Sequence, residues 1–106
     1  MLCLLSTACL DADPCGNQVK QELNSPDGKY TATAFIRDCG ATTGFSPQVD
    51  LRSAGQEMAK TGNVFIADHS DQISIRWLSA SELEISSPGE VISSQQQFEG
   101  IKITIK

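Results

Sequence analysis

The sequence predicts an all-β domain, a small antiparallel sandwich or barrel-like meander of about seven short strands. Three observations lead to this prediction. Apolar and polar residues alternate with a period of two along most of the chain, which is typical of strands with one buried face. Turn-forming groups of Gly, Pro, Asp and Ser separate these runs at short intervals. No segment keeps a 3.6-residue apolar period over three turns, so the sequence does not predict a helix.

The alternating runs place the strands along the chain. The turn after the first run contains Pro26, which fixes φ, and Gly28, which permits a positive φ. In the second run, Phe35 interrupts a face that is otherwise polar. A polar connection at residues 54–62 has room for one helical turn, and residues 91–99 are predicted to be an edge strand or a loop. The predicted strands are residues 19–24, 29–39, 46–53, 63–67, 72–78, 82–86 and 100–106.

Size and charge limit the class of function. A chain of 106 residues suggests one domain, and a core of this size gains much from a covalent crosslink. The formal net charge is −5, and an acidic protein repels phosphate backbones, so we expect no nucleic-acid binding. No Lys/Arg cluster is present for anionic lipids, so we expect membrane contact only through a lipid anchor. A protein partner from the envelope or the secreted proteins is compatible with this charge.

The first ten residues differ from the rest. They are uncharged, apolar or small, and a polar, turn-forming stretch follows them. We interpret residues 1–10 as the remnant of a secretory or lipoprotein leader and residues 11–106 as a single β domain. Residues 5–9 are similar to a bacterial lipobox, which predicts lipidation at Cys9. Two alternatives remain open, namely export without a lipid and an ordinary N-terminal strand or tail.

The cysteines predict one disulfide. If the leader is removed and Cys9 carries lipid, Cys15 and Cys39 are the two that remain, and they would pair in an oxidising compartment. For a loop of this length the crosslink contributes about 3 kcal/mol. The spacing of the cysteines matches no common zinc site, and the one histidine, His69, is distant in sequence, so we expect no metal.

Several short runs are distinctive as a set, and the run from Cys39 to Ser46 is the most specific. Together the runs resemble a group of small, uncharacterised bacterial proteins that are often lipoprotein-like. The resemblance covers nearly all of the chain after Asp13. It implies export and a shared fold, and it implies no activity. The runs are Pro-Cys-Gly-Asn at 14–17, Ser-Pro-Asp-Gly-Lys at 25–29, Arg-Asp-Cys-Gly-Ala-Thr-Thr-Gly-Phe-Ser at 37–46, residues 62–68 and residues 75–78.

The loop after the second run is the best candidate for a binding surface. Its two glycines leave backbone N–H groups accessible, and the hydroxyls of Thr42 and Thr43 add hydrogen-bonding groups. We predict Arg37, Asp38, Thr42, Thr43 and Phe45 as binding residues, with Phe45 as an exposed anchor. The alternative is a tight strand connection in which Phe45 fills the core and Arg37 pairs with Asp38 or another acid.

The remaining candidates for chemistry have simpler explanations. Residues 68–71 read Asp-His-Ser-Asp, but sequence neighbours rarely adopt triad geometry, and a turn accounts for them. Trp77 has the spacing of a core residue, and Glu82 and Glu84 share one face of a strand, where solvated carboxylates are common. We therefore expect no catalytic residue and no cofactor.

These observations predict a non-catalytic cell-envelope protein, lipid-anchored or exported, that binds a protein or a small ligand. One alternative is an inhibitor of a secreted enzyme, by analogy of size and architecture. The other is a small envelope hydrolase whose site is assembled from dispersed residues.

Overall fold

The computed structural model describes residues 15–40 and 44–106, and these residues form nine strands and no helix. Strands β1, β2, β3, β4 and β7 form one sheet in that order, and β5, β6, β9 and β8 form the other. The sheets pack face to face as a small sandwich, so the predicted all-β class is confirmed. The strands are β1 (Gly16–Asn24), β2 (Tyr30–Asp38), β3 (Phe45–Ser53), β4 (Phe65–Asp68), β5 (Ser74–Ser79), β6 (Glu82–Ser86), β7 (Glu90–Ser94), β8 (Gln97–Phe98) and β9 (Ile101–Ile105).

Some of the predictions concern residues other than 15–40 and 44–106. The leader at residues 1–10, the lipidated Cys9, and the binding residues Thr42 and Thr43 lie outside the described residues.

The turn between β1 and β2 is built from its own polar side chains. The hydroxyl of Ser25 donates to Asp27 Oδ1 at 2.7 Å and accepts the backbone N–H of Tyr30 at 3.1 Å. Gly28 has a φ of 75°, a left-handed conformation that glycine adopts without steric cost. The turn therefore sets the pairing of β1 and β2 that begins at Asn24↔Thr31 and continues to Gly16↔Asp38, with a shift of register at one bulge near Lys20.

Two features depart from the prediction. Residues 91–99, expected to be an edge strand or a loop, contribute to two strands, β7 and β8, each at the edge of its sheet, so the edge position is as expected but the count is nine rather than about seven. In addition, β6 and β9 pair in parallel. The order of the strands explains this pairing. After β6 the chain forms β7 in the first sheet and β8 in the second. It then forms β9 beside β6, and β9 runs in the same direction as β6.

One apolar core fills the space between the sheets. Its members come from both sheets, as alternation on each strand requires when one face is buried. The half-buried Leu23, Tyr30, Ile73, Trp77 and Phe98 pack against it. The fully enclosed members are Ala32, Ala34, Val49, Leu51, Val64, Phe65, Ala67, Ile75, Leu83, Ile85, Ile101 and Ile103.

The two sheets are joined along both sides. On one side the side chain of Gln21 accepts the N–H of Ile75 at 2.8 Å, and Trp77 Nε1 donates to the carbonyl of Leu23 at 3.1 Å. On the other side Gln95 N–H donates to the carbonyl of Val64, and Ile103 N–H donates to that of Gln96. The sandwich is therefore partly closed, in the manner of a barrel.

A segment at residues 54–63, here called the strap, crosses the outer face of the five-stranded sheet. Side chains of the sheet hold its backbone: Gln48 accepts the N–H of Gly62 at 2.7 Å, and Arg52 Nε donates to the carbonyl of Gln56 at 2.8 Å. These bonds replace helical ones, so the room for a helical turn is not used. The strap also explains Phe35, which is fully buried on this outer face rather than in the core between the sheets.

Gly62 lets the strap come this close to the sheet. A Cβ at this position would lie 2.7 Å from the carbonyl oxygen of Phe65 and 2.8 Å from that of Val49. Both neighbours are backbone atoms in paired strands, so they cannot yield without disturbing the sheet. A glycine is therefore required where the chain enters β4.

Candidate binding cleft

The two sheets differ in length, and the difference creates a candidate site. Strands β1, β2 and β3 each have nine residues and span about 30 Å, whereas a five-residue strand of the second sheet spans about 17 Å. Along β2 and β3 the core between the sheets ends at Ala34 and Val49. The next residues on the same face, Ile36 and Pro47, are buried but lie outside that core. One end of the longer sheet thus extends past the shorter one.

A cleft of about 420 Å³, here called the end cleft, lies at this extended end. Asp38 and Phe45 are direct cross-strand partners in the register of β2 and β3, so their side chains share one face of the sheet. Phe45 is 45% exposed, so its ring is accessible from the cleft. The described residues that line the cleft are Gly16, Asn17, Gln18, Ile36, Asp38, Gly40 and Phe45.

Two polar side chains of the end cleft, Asp38 and Gln18, make few contacts with other described residues. Asp38 Oδ1 accepts the N–H of Gly40 at 3.0 Å, and among the described residues no Lys, Arg or His lies within 4.0 Å of its carboxylate. The side-chain amide of Gln18 makes no hydrogen bond within the described part of the chain. A carboxylate, an amide and an aromatic ring are therefore available to a ligand in one cleft.

A disulfide between Cys15 and Cys39 closes this end of the sheet. It continues the β1–β2 register by one position beyond the Gly16↔Asp38 pair. The predicted pair is thus bonded in the structure, and a disulfide in a small domain indicates an oxidising, extracellular-type compartment.

Arg37 belongs to the opposite face of the sheet. Its Nη1 donates to Asn17 Oδ1 at 2.9 Å and to the carbonyl of Lys60, in the strap, at 2.9 Å. Asn17 Nδ2 donates to that same carbonyl. The structure therefore brings the predicted residues Asp38 and Phe45 together and separates Arg37, which helps to hold the strap.

A second charged cluster lies under the strap and is fully partnered. Arg52 Nη1 donates to Thr33 and to Asp50 Oδ2 at 3.0 Å, and its Nη2 contacts Glu22 Oε2 at 2.8 Å. Burial raises the pKa of Asp50, and the hydrogen bond and charge of Arg52 act against that rise. The Arg52 hydrogen bond lowers the pKa of Glu22, with help from Thr33. A hydrogen bond to a charged carboxylate lowers its pKa, whereas burial of the charged carboxylate raises it.

The histidine turn has the residue types of a catalytic site but not the arrangement. His69 Nδ1 lies 3.3 Å from Glu90 Oε1 and 3.8 Å from Asp68 Oδ2, with its side chain 72% exposed. The hydroxyl of Ser70 accepts the N–H of Gln72 and forms no hydrogen bond to the imidazole. Within residues 15–40 and 44–106, no group of three His, Cys, Asp or Glu side chains is placed to hold a metal ion.

The acidic pair on β6 is engaged by neighbouring strands. Glu84 Oε1 contacts Arg76 Nη2 at 3.0 Å, and Glu82 accepts the hydroxyl of Thr104 at 3.0 Å. Trp77 packs against the core, as its spacing predicts. Contacts within the sandwich therefore explain the positions of Glu82, Glu84 and Trp77.

The sequence did not identify Gly16, Gln18 and Ile36 as parts of the site. Alternation places Ile36 and Asp38 on one face of β2, but no pattern shows where the opposing sheet ends. The mismatch in strand length that opens the end cleft depends on how distant segments pair.

No helix among the described residues is long and apolar enough to cross a membrane. No curated protein matches the chain, and no solved structure matches it. A model of a family of unknown function, DUF5412, matches residues 9–100. This range contains the disulfide, the strap and every described residue that lines the end cleft. The chain therefore belongs to the DUF5412 family.

Proposed function

We propose that this protein is a non-catalytic binding module of the bacterial cell envelope and that the end cleft is its ligand-binding surface. One observation carries the proposal: a half-exposed Phe45 and Asp38, a carboxylate with no cationic partner among residues 15–40 and 44–106, share a cleft that the second sheet does not cover. Elsewhere on the sandwich, Arg52 pairs with Asp50 and Glu22 under the strap, and Arg76 pairs with Glu84 on β6. A protein or small ligand is the expected occupant.

The disulfide and the N-terminal sequence support the location. The crosslink requires an oxidising compartment, and a lipid on Cys9 would tether the domain through the few residues that precede Cys15. Mass spectrometry of the protein isolated from its host tests this part. We expect a diacylglyceryl modification on Cys9 with residues 1–8 removed, and an intact Met1 would contradict it.

Capture with matched variants tests the binding surface. The full chain is immobilised and exposed to envelope extract from its host, alongside Phe45→Ala and Leu78→Ala. Leu78 is a fair control because it is 44% exposed, like Phe45, but lies on β5 in the other sheet. We expect a partner that binds the wild type and the Leu78→Ala variant and is lost from Phe45→Ala. A partner retained equally by all three proteins would show that binding occurs elsewhere.

The same experiment separates the two alternative functions. If the protein inhibits a secreted enzyme, the captured partner is an enzyme whose activity falls when the wild type is added and does not fall with Phe45→Ala. If the protein is a hydrolase, it turns over ester, peptide or glycoside substrates without any partner. Turnover that survives Phe45→Ala, together with no captured partner, would overturn the proposal.

A further inference from the structure

The end cleft has a chemical preference that follows from its lining. Asp38 is the charged side chain among its described lining residues, and the ring of Phe45 lies directly across from it on the neighbouring strand. A carboxylate attracts a cation, and an aromatic face does so as well through its negative quadrupole. Arg37, the adjacent cation in sequence, is directed to the opposite face, where it contacts the strap. The cleft therefore suits a positively charged group brought by a ligand.

The edge of β1 beside the cleft is also open. β1 is the outermost strand of its sheet, and β5 contacts it through Gln21 and Leu23. Before the bulge, Gly16 to Val19 form no backbone hydrogen bonds on that outer edge within the described part of the chain. An exposed edge of this kind can accept an added strand.

We infer that the end cleft receives an arginine or lysine side chain of an extended segment of a partner protein, which lies along the β1 edge at Gly16–Val19. The cation sits between Asp38 and Phe45, and the backbone of the segment bonds to the strand edge. The net charge of −5 favours the approach of such a basic partner. This inference rests on the proposed function, since it names the kind of ligand that the cleft binds.

Titration with defined peptides tests the inference on the full chain. The probes are capped pentapeptides of alternating threonine and valine that carry arginine, glutamine or glutamate at the centre, together with ethylguanidinium as a small cation. The readout is the movement of backbone amide signals of Gly16–Val19, Asp38 and Gly40 in ¹H–¹⁵N spectra. We expect the arginine peptide to move these signals most and the glutamate peptide least.

Two variants test whether the charge of Asp38 causes the preference for a cationic peptide. Asp38→Asn keeps the acceptor for the Gly40 N–H but removes the charge. We expect this variant to bind the arginine peptide with about fivefold lower affinity, which is the effect of one exposed ion pair. Glu57→Gln removes an equal charge from an exposed residue of the strap, and we expect it to leave the affinity unchanged.

Each result of the peptide titration tests a different part of the inference. Equal movement with all three peptides would overturn the preference for a cation while leaving the cleft as a binding surface. Movement with ethylguanidinium as large as with the arginine peptide would overturn the extended segment as the occupant. If no probe moves the cleft signals, the inference falls, and the capture experiment then decides the proposed function independently.

Discussion

Two aspartates of the five-stranded sheet have opposite surroundings. Asp50 on β3 is 2% exposed, lies beneath the strap, and is bonded by Arg52 and by the N–H of Ala59. Asp38 on β2 lies at the far end of the other face, is exposed, and accepts one N–H from Gly40. Both belong to the same sheet, yet one is enclosed by the protein and the other faces an open cleft.

The comparison shows how a carboxylate enclosed in an ion-pair network differs from one that is exposed to a ligand. A buried charge must be paired, because leaving it alone costs several kcal/mol, and the network around Asp50 meets that requirement. An exposed carboxylate can remain unpaired at little cost, and it keeps its attraction for a cation that arrives from outside. The charged network around Asp50 is therefore expected to govern stability, and the end cleft is expected to govern binding.

The largest effect is expected from Arg52→Ala. The substitution leaves Asp50 buried without its cation and should lower the free energy of unfolding by about 3 kcal/mol. Urea denaturation measures this. Arg76→Ala is the control, since Arg76 is 65% exposed and its pairing with Glu84 should be worth less than about 1 kcal/mol. Equal losses in both variants would contradict the distinction between enclosed and exposed charges.

Removal of the disulfide tests the cleft end of the sheet. Replacing Cys15 and Cys39 together by serine should cost about 3 kcal/mol, because the unfolded chain gains the freedom of the opened loop. Hydrogen exchange should then show faster opening near Gly16 and Asp38, next to the lost bond, than at Val49 in the core. Faster exchange at Val49 than at Asp38 would show that the crosslink does not act locally.

A smaller effect concerns pH. The pKa of Glu22 is lowered in the folded protein, so its stabilising contribution is present above the unfolded value of 4.5 and is lost as pH falls through the folded value. The pKa of Asp50 is raised, so its contribution has the opposite sign and declines as pH rises from 3.8 through the folded value. Stability curves of Glu22→Gln and Asp50→Asn against the wild type should diverge in opposite directions, for Glu22 as pH falls below 4.5 and for Asp50 as pH rises above 3.8. Curves that diverge in the same direction would contradict this assignment.

The smallest change in stability is expected at the cleft itself. Asp38→Asn and Phe45→Ala should each alter the free energy of unfolding by no more than about 0.5 kcal/mol, since both side chains are exposed. Thermal and urea unfolding measure this. A loss above about 2 kcal/mol for Phe45→Ala would place the ring in the structural core and remove it from the binding surface.

Much of the fold follows from local pattern. Alternation located the strands because a one-residue slip would turn each apolar face outward, and the Pro26–Gly28 turn marked the first hairpin. Counting cysteines led to the pair Cys15 and Cys39. Phe35 interrupts the polar face of its strand in the sequence, but the strap that crosses this face was not foreseen.

The remaining features depend on contacts between distant segments. The parallel pairing of β6 with β9 arises from the order in which the chain visits the two sheets, which no local pattern records. Asp38 and Phe45 were identified from the loop that they flank, but their position in one cleft results from the greater length of β1–β3. Arg37 was predicted as part of the same loop surface, whereas adjacent residues of a strand face opposite sides of the sheet, so Arg37 and Asp38 are separated.

Photocrosslinking in the host tests the central claim most directly. A benzophenone side chain is placed at position 45 or, as the control, at position 78, and living cells are irradiated before the envelope proteins are separated. We predict a discrete crosslinked species from position 45 and none from position 78, because the end cleft is the proposed binding surface and Leu78 lies on the other sheet. A species that forms from position 78 and not from position 45 would contradict the account.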